Sequence, residues 1–411
     1  MHILFLSHYF PPEVNAPASR TYEHCAAWAR AGHEVTVVTC APNHPRGVVY
    51  EGYRNRWFQT EVLDGVRVTR LWTYLSPNEG FLGRTLNYLS YLLMAVLAVP
   101  RLPNPDIVIS TSPQFFNGLA GYFVSRLKHA PWALEIRDLW PESIVAVGAI
   151  TNAAIIRLLE RLEMFAYRKA NVIVAVTDAF QQHMIRKGID AAKIVVIKNG
   201  VNLALFQARD ATTPEAQALS RELGVGGRFV AAYVGTHGMA HHLDTILEAA
   251  AIVGNDDILF VMVGDGAERE RLVSKRRAMG LENVVMLTQL PKVKMPALWS
   301  LADASLVLLK KSDLFKTVIP SKIFESMAME VPVVLGVEGE AKTLIEEAGA
   351  GICIEPENPK ALAGALGRLY EDDTLAKRLG TSGRRHVRRY FDRSALAAQY
   401  LQILDSAVGK A

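Results

Sequence analysis

The stretch FVAAYVGTHGMAHHLDTILEAA, residues 229–250, joins an apolar run to a glycine-containing turn and then to a helical pattern. An apolar strand that is followed at once by a helix is typical of a parallel sheet with helices on both faces. The same alternation recurs from one end of the chain to the other. It predicts an α/β protein made of doubly wound, Rossmann-like domains.

Two series of short apolar runs predict two sheets. The first series lies at 2–7, 34–39, 66–71, 106–110, 131–136, 171–176 and 194–198. The second lies at 229–234, 258–263, 284–287, 304–309, 331–335 and 351–354. A chain of 411 residues also exceeds the usual size of one hydrophobic core. We therefore predict domains at 1–203 and 204–385, a polar linker at 207–227, and a broken C-terminal helix at 386–411.

The composition is that of an ordinary globular protein and argues against several classes. A formal net charge of +4 is small for this length and gives no reason to expect nucleic acid as a partner. Cys25, Cys40 and Cys353 are scattered, without the spacing of a zinc site or a disulfide framework. The apolar run at 3–6 is too short for a signal peptide, so we expect it to be the first strand.

The segment FLGRTLNYLSYLLMAVLAVPRL, 81–102, is strongly apolar and contains Arg84 and Arg101 near its two ends. Three interpretations stay open from the residues alone. The first interpretation is a buried helix. The second is an amphipathic helix that lies in the lipid interface with the two arginines near head groups, and the third is a membrane-spanning helix. Asn87 and Ser90 interrupt the apolar run and disfavour the third.

Two glycine turns follow predicted strands of the second domain. In VGTHGMA, Gly235 and Gly238 permit a tight turn, and the N–H groups of the helix after them would favour an anion. His237 in that turn is placed to donate to a phosphate oxygen. In VGDGAERERL, Gly264 and Gly266 flank Asp265, and here an ordinary turn with Asp265 as a helix cap is the preferred interpretation.

The stretch TVIPSKIFESMAMEVPVV, 317–334, places two opposite charges at the start of a short helix in an apolar setting. Lys322 and Glu325 are three residues apart and would gain only about 0.2–0.5 kcal/mol by pairing on a surface. A ligand with a phosphate for Lys322 and hydroxyl groups for Glu325 uses both charges better. The residues favour that reading modestly.

In the first domain, two loops follow predicted strands. SHYFPPEVNAPASR, 7–20, is long and rich in proline, and such loops often carry function in α/β domains. LEIRDLWPES, 134–143, ends a strand with Arg137 and Asp138, which either pair structurally or face a ligand. Asn199 and Gly200 form a turn signal at the expected domain boundary.

Together these stretches resemble the retaining glycosyltransferases of family 4, and most closely the branch of WbuB-type L-fucosamine transferases in bacterial surface polysaccharide assembly. The motifs that carry the resemblance are SHYFPPE…APASR, IRDLWPES, KNGVN, GTHGMA and TVIPSKIFESMAMEVPVV, and they span essentially the whole chain. The resemblance implies the GT-B fold: two Rossmann-like domains facing across a cleft, with the C-terminal helix returning to the N-terminal, acceptor-binding domain. The second domain would bind the nucleotide-sugar.

The resemblance also assigns roles to individual residues. Glu325 corresponds to the second glutamate of the family's E-x7-E signature, which binds the nucleotide ribose, whereas Thr317 stands in place of the first. Thr236 and His242 stand near the positions of the Arg and Lys that hold the diphosphate. Lys322, His237 and two helix N-termini would then carry that charge, and Arg137, where the family often has a His, would approach the donor.

We thus expect Lys322, Glu325, His237 and Arg137 to take part in catalysis. The residues predicted to bind the nucleotide-sugar are Gly235, Thr236, His237, Gly238, Gly264, Gln289, Leu290, Thr317, Ser321, Lys322 and Glu325. The resemblance implies front-face attack without a protein nucleophile, a UDP-sugar donor, no metal and no further cofactor.

The expected acceptor is a polyprenyl-diphosphate-linked or other glycan, which places the enzyme peripherally on the cytoplasmic face of the membrane. A donor with an N-acetylated amino sugar, such as N-acetyl-L-fucosamine, fits the branch. Two other functions stay open: a sugar-nucleotide epimerase on the same fold, and a non-catalytic subunit that binds a nucleotide-sugar. Thr317 and the missing Arg and Lys motivate the second.

Overall fold

The computed structural model describes residues 1–77, 81–146, 148, 150–207, 209–254 and 257–409. It divides into two compact units. The first contains Met1–Lys198 together with Arg393–Ala411, and the second is Asn199–Asp392. Each unit is built around its own sheet.

The strands of the first unit are short and mostly buried. They are β1 (His2–Leu6), β2 (Glu34–Cys40), β3 (Phe58–Leu63), β4 (Val66–Leu71), β5 (Ile107–Thr111), β6 (Trp132–Ile136), β7 (Val172–Ala175) and β8 (Ile194–Val196). Among the described residues they form one eight-stranded sheet in the order β3-β4-β2-β1-β5-β6-β7-β8. The strands from β4 to β8 pair in parallel, as the apolar runs predicted.

The sequence did not predict β3, which pairs antiparallel with β4 at the edge of the sheet. Its residues, FQTEVL, alternate in polarity and are exposed or half-buried. An edge strand of this kind lacks the continuous apolar run that identified the other strands.

Helices connect these strands. They are α1 (Ala16–Arg30), α2 (Phe81–Leu97), α3 (Phe115–Lys128), α4 (Glu142–Ala146), α5 (Ala153–Lys169) and α6 (Asp178–Arg186). The apolar segment that begins at 81 is therefore one helix, α2, followed by a 3-10 turn at Val99–Arg101. No helix in the described residues has both the length and the apolar character needed to cross a bilayer.

The second unit repeats the architecture with a fully parallel sheet. Its strands are β9 (Phe229–Val234), β10 (Ile258–Val263), β11 (Val284–Leu287), β12 (Ala304–Leu308), β13 (Val333–Gly336) and β14 (Gly351–Cys353). In the described part of the chain the order is β11-β10-β9-β12-β13-β14. The adjacent strands β9 and β10 are in register from Phe229 opposite Ile258 to Val234 opposite Val263, so they end side by side.

Helices cover both faces of this sheet. They are α7 (Pro214–Leu223), α8 (Asp244–Val253), α9 (Arg269–Ala278), α10 (Met295–Leu301), α11 (Lys322–Ala328), α12 (Glu340–Ala348), α13 (Pro359–Glu371) and α14 (Asp373–Tyr390). The predicted linker at 207–227 is wrong, because α7 lies within it. Ala216 and Leu223 of α7 are buried in the core of the second unit, and Thr213 caps the helix by accepting from the N–H of Ala216.

The last helix of the described residues is α15 (Arg393–Val408), which is separated from α14 by Phe391 and Asp392. The predicted break in the C-terminal helical segment is therefore present, while residues 410 and 411 lie outside the described part. α15 belongs to the first unit, where Trp28 of α1 donates from Nε1 to the carbonyl of Ala397 at 2.9 Å. Tyr400 lies edge-on to the same indole ring.

Candidate active site

The carboxyl ends of β9 and β10 carry two glycine loops that pack backbone against backbone. Gly235 and Gly264 have φ values of +144° and +155°, which side-chain-bearing residues rarely adopt. A Cβ on Gly264 would collide with the carbonyl oxygen of Gly235. Between the loops, the N–H of His237 donates to the carbonyl of Asp265 at 2.9 Å. The two turns thus form one continuous polar surface at the carboxyl ends of β9 and β10.

Lys322 points its ammonium group at this surface from the first residue of α11. Its Nζ is buried and makes no hydrogen bond. It lies 3.7 Å from the centroid of the Tyr233 ring, and a Cβ on Gly235 would come within 2.9 Å of it. Glycine at 235 therefore leaves the space that the ammonium group occupies.

The environment of Lys322 disfavours its charge. Burial lowers the pKa of the lysine from 10.5 to about 7, and the nearby carboxylate of Glu325 opposes this shift only in part. A buried ammonium group whose donors have no acceptors is costly unless an anion satisfies it. The oxygens of a negatively charged group would supply the acceptors that Lys322 Nζ does not have among its described neighbours.

Glu325 does not pair with Lys322 as the surface alternative required. Its partner is Lys292, with which it forms a partly buried ion pair. Lys292 begins the 3-10 turn Lys292–Lys294 that follows β11, and its ammonium group lies 5.0 Å from the centroid of the Phe206 ring. Lys292 thus holds the Glu325 carboxylate in place, and Lys322 has no ion-pair partner among the residues that the structure describes.

Two histidines of the loop after β9 complete the surroundings of Lys322. Both ring nitrogens of His237 and Nδ1 of His241 are buried without hydrogen-bond partners. Burial, aided by Arg269 and Lys322, lowers the pKa of His237 to about 4. Burial and Lys322 lower the pKa of His241 to about 3. Both rings are neutral at pH 7, so each offers one donor and one acceptor.

Arg269 adds a further cation, at the start of α9. Its side chain is largely buried, and its Nε has no hydrogen-bond partner. Its Nη1 lies 3.5 Å from Glu270, whose carboxylate is almost fully exposed. Exposed ion pairs are weak, so Arg269 keeps most of its positive charge available beside His237.

The predicted helix N-terminus after Gly238 is not where the sequence placed it. α8 begins only at Asp244, and this first-turn carboxylate binds Arg271 and Lys275. The negative charge of Asp244 makes this end of α8 a poor anion site. α11 does begin at Lys322, after Pro320 and Ser321 as predicted, although the Ser321 side chain makes no capping hydrogen bond.

The other predicted donor-binding residues lie on loops of the same unit. The carbonyl of Thr236 accepts from the Tyr233 hydroxyl at 2.7 Å. The hydroxyl of Thr317 donates to the carbonyl of Leu314 at 2.6 Å, within its own turn.

The remaining predicted donor-binding residues also lie on loops of this unit. Gln289 is exposed and Leu290 is half-buried in the segment between β11 and Lys292. Gly238 lies in the same turn as Thr236, and Gly266 continues the loop from Gly264.

Arg137 belongs to the first unit, just after β6. Its Nη1 donates to the carbonyl of Pro17 at 3.2 Å, and its backbone N–H donates to the Ser112 hydroxyl at 2.6 Å. Burial lowers the pKa of this guanidinium, and Glu135 opposes that shift. Its Nε has no hydrogen-bond partner. The Arg137–Asp138 side-chain pair is absent from the ion pairs of the described residues, where Asp138 accepts from Ser143 at 2.9 Å instead.

Sequence reasoning missed Tyr233, Arg269 and Lys292. Each lies at or shortly after the carboxyl end of a strand, which is the place where parallel sheets bind ligands. Charged residues beyond the glycine turns, in GAER and in PKVK, were the available signal. Within the described part of the chain, no cluster of three or more His, Cys, Asp or Glu residues is arranged to hold a metal ion.

Comparison with known proteins identifies the family to which these two units correspond. Residues 15–200 match the glycosyl transferase 4-like domain, and residues 216–386 match the glycosyl transferases group 1. A candidate colanic acid biosynthesis glycosyl transferase of Escherichia coli (strain K12), WcaI, is 24% identical over 410 residues, which cover 98% of this chain and 99% of WcaI.

Solved structures with the same fold span the whole chain. Sucrose-phosphate synthase from Thermosynechococcus elongatus superposes with a TM-score of 0.78 at 18% identity, covering 100% of both chains. HepE of Anabaena, in complex with UDP and glucose, gives 0.73 at 19% identity, covering 99% of this chain and 100% of HepE. With its two consecutive domain matches and this GT-B fold, the chain belongs to the family 4 glycosyltransferases and is a transferase.

Proposed function

We propose that this enzyme transfers a sugar from a UDP-sugar to a polyprenyl-diphosphate-linked or other glycan acceptor, with retention of anomeric configuration. The observation that carries the proposal is the Nζ of Lys322, which is buried, without an acceptor, and set against the glycine loop at Gly235. A diphosphate supplies the anionic oxygens that this ammonium group lacks.

The surroundings of Lys322 suit the departure of UDP. Negative charge builds up on the leaving diphosphate during glycosyl transfer, and fixed cations in a partly buried site stabilise it without reorganisation. Lys322 and Arg269 are such cations, and the neutral ring of His237 offers a hydrogen-bond donor beside them. Because these side chains supply the charge, we propose that donor binding needs no metal.

Glu325 is assigned to the ribose of the donor. An ionised carboxylate accepts hydrogen bonds from two neighbouring hydroxyls, and Lys292 fixes its orientation. The alternative use of Glu325, as a partner for Lys322, is disfavoured because the ion-pair partner of Glu325 is Lys292, which contacts one of its two carboxylate oxygens.

The identity of the donor and the pathway rest on similarity. HepE binds UDP and glucose, which supports a uridine nucleotide. WcaI is described as a glycosyl transferase of colanic acid biosynthesis, and this similarity supports a role for the present enzyme in assembling a surface polysaccharide, such as O-antigen or capsule. The motif resemblance to WbuB-type L-fucosamine transferases supports an N-acetylated amino sugar such as N-acetyl-L-fucosamine. A lipid-linked acceptor would place the enzyme peripherally on the cytoplasmic face of the membrane.

Calorimetry with UDP, GDP, ADP and UMP, with and without magnesium, tests the donor site. We expect UDP to bind most tightly and independently of magnesium. Glu325→Ala should weaken UDP binding by about 1.5–3 kcal/mol, because the ribose loses a charged acceptor. Glu347→Ala, an exposed carboxylate on α12, is the matched control and should bind UDP like the wild type.

Unchanged UDP affinity in a folded Glu325→Ala variant would remove the ribose assignment. Tight binding of GDP or ADP in place of UDP would change the donor class. A turnover assay with UDP-sugars then decides the reaction: sugar on an acceptor supports transfer, a free epimer supports the epimerase, and binding without turnover supports a non-catalytic subunit.

A further inference from the structure

α2 is apolar on two opposite faces. One face holds Tyr88, Tyr91, Met94, Ala95 and Ala98, counting the residue after its last turn, and these are buried in the first unit. The face expected to be polar on a surface helix of a soluble protein holds leucines instead.

Five leucines form this outer face, and all are exposed, by 40% to 71%. They are Leu82, Leu86, Leu89, Leu93 and Leu97. At 3.6 residues per turn they fall within about a quarter of the helix circumference and extend over roughly 22 Å. Isolated exposed leucines are ordinary, but a continuous stripe of this length marks an interaction surface.

The apolar surface continues onto the neighbouring helices. α3 packs against α2, and it exposes Phe123 and Leu127, one helical turn apart. Tyr122 of α3 lies edge-on to Phe165 of α5, with the ring centroids 5.0 Å apart. α5 in turn exposes Phe165 and Leu158. We call the outer sides of α2, α3 and α5 the leucine face.

Exposed cations accompany the leucine face. They are Arg101 after α2, Arg126 on α3, and Arg157, Arg161, Arg168 and Lys169 on α5. In the described part of the chain, none of the six forms an ion pair with a carboxylate, and Glu160 is the one acidic residue exposed among the residues of α2, α3 and α5. Arg84 does not belong to this set. It lies over the Tyr88 ring, 5.9 Å from its centroid, on the inner side of α2.

The composition of the leucine face favours lipid over a protein partner. The energetic centres of protein interfaces are enriched in Trp, Tyr and Arg, whereas leucine is under-represented there. A stripe of leucines beside unpaired cations instead fits acyl chains next to phosphate head groups. We propose that the leucine face docks onto an anionic phospholipid bilayer, with α2 lying in the interface.

Docking through the leucine face would bring the enzyme to the bilayer surface where a lipid-linked acceptor lies. It rests on the proposed function for that purpose only, since vesicle binding needs neither donor nor turnover. The leucines insert between acyl chains, and the cations of α3 and α5 contact lipid phosphates. Affinity should therefore depend both on apolar area and on the anionic lipid content.

Flotation of the full chain with phosphatidylglycerol–phosphatidylcholine vesicles tests the proposal. We expect binding to the mixed vesicles, weaker binding at high salt, and little binding to phosphatidylcholine alone. Leu86→Glu/Leu93→Glu should lower the affinity for mixed vesicles at least tenfold. Ile252→Glu, an equally exposed apolar residue of α8 in the second unit, should leave it unchanged.

A second pair of variants tests the charges. Arg157→Gln/Arg161→Gln should lower affinity for the anionic vesicles and flatten its salt dependence, whereas Arg277→Gln/Arg378→Gln, two exposed arginines of the second unit, should do neither. UDP calorimetry on the leucine variant separates the proposals, because it should keep wild-type affinity for the nucleotide. Equal vesicle binding by the wild type and the leucine variant, or a stable dimer that the leucine variant abolishes, would overturn membrane docking.

Discussion

Arg20 in the first unit and Lys322 in the second are both buried cations, but they differ in their partners. The side chain of Arg20 is 1% exposed and donates from Nε to Glu135 at 2.9 Å, and from Nη1 and Nη2 to the carbonyls of Lys198 and Ile197, each at 2.9 Å. The Nζ of Lys322 is also buried, and it donates to no atom.

The difference is the one we expect between a charge that stabilises the fold and a charge that binds a ligand. A buried ion pair with its hydrogen bonds complete costs little to keep and much to break. A buried cation without acceptors lowers stability until a ligand supplies them. Burial of a charge is therefore no sign of function by itself; the missing partner is the sign.

Removing Arg20 should have the largest effect. Arg20→Met leaves Glu135 buried without its ion-pair partner, so we expect a loss of about 3–5 kcal/mol in the free energy of unfolding. Burial acts to raise the pKa of Glu135, and Arg20 is the main influence that holds it below its usual value. Urea denaturation followed by circular dichroism measures the loss.

Arg54→Met, at an exposed arginine of the same unit, is the control and should stay within about 0.5 kcal/mol of the wild type. If Arg20→Met is as stable as this control, the buried charge of Arg20 does not stabilise the fold. A second readout is acid sensitivity, because Glu135 without Arg20 should protonate at a higher pH than in the wild type.

Much of the fold was predictable from the sequence because parallel strands buried on both faces leave continuous apolar runs. HILFLS and ILFVMV predicted β1 and β10 almost to the residue. The edge strand β3 left no such run, and α7 was hidden in a polar segment since only Ala216 and Leu223 of this helix are fully buried, with Leu219 partly buried against the same core. Periodicity reports burial, so elements with few buried residues escape it.

The site was predictable in its location more than in its contacts. The sequence singled out Lys322 and the turn at Gly235 because charges and glycines stand out at strand ends, and the structure brings the two together. The partner of Glu325 was not evident, because Lys292 is 33 residues away in sequence and contacts it only in the folded chain. A pattern within one segment reveals local spacing, whereas side-chain partners across segments depend on the tertiary structure.

Removing the charge of Lys322 should give the opposite result to that of Arg20. Lys322→Met removes a buried cation that has no acceptor, so we expect the free energy of unfolding to be unchanged or higher. Affinity for UDP should fall by about 1.5–3 kcal/mol, because the diphosphate loses a charge-assisted donor. Denaturation and calorimetry on the same preparation measure the two effects.

UMP gives the internal control for Lys322. If the ammonium group contacts the diphosphate, UDP should lose more affinity than UMP, and turnover should fall further. Equal losses for UMP and UDP would remove the phosphate role. A Lys322→Met variant that unfolds as readily as Arg20→Met would show that the lysine is structural too, and the comparison would fail.

The pH dependence of UDP binding is the smallest effect and the sharpest. The pKa of Lys322 is lowered to about 7, so above that pH the unliganded folded protein increasingly carries the neutral amine. Binding a diphosphate then requires uptake of a proton. The dissociation constant should rise about tenfold for each pH unit above 7. The neighbouring His237 and His241, with pKa values of about 4 and about 3, do not titrate in this window.

Calorimetry between about pH 7.5 and pH 9, in buffers of different ionisation enthalpy, counts the protons taken up. Lys322→Arg keeps its charge throughout, so its UDP affinity should not change with pH over the same window.

The pH dependence of stability gives an independent check, with the opposite sign. From pH 7 up to the ordinary lysine pKa, the unfolded chain binds more protons than the folded one, so the free energy of unfolding of the wild type should rise relative to Lys322→Met. If neither affinity nor stability follows these slopes, Lys322 is charged before the nucleotide arrives, and an acceptor already satisfies it as Glu135 satisfies Arg20.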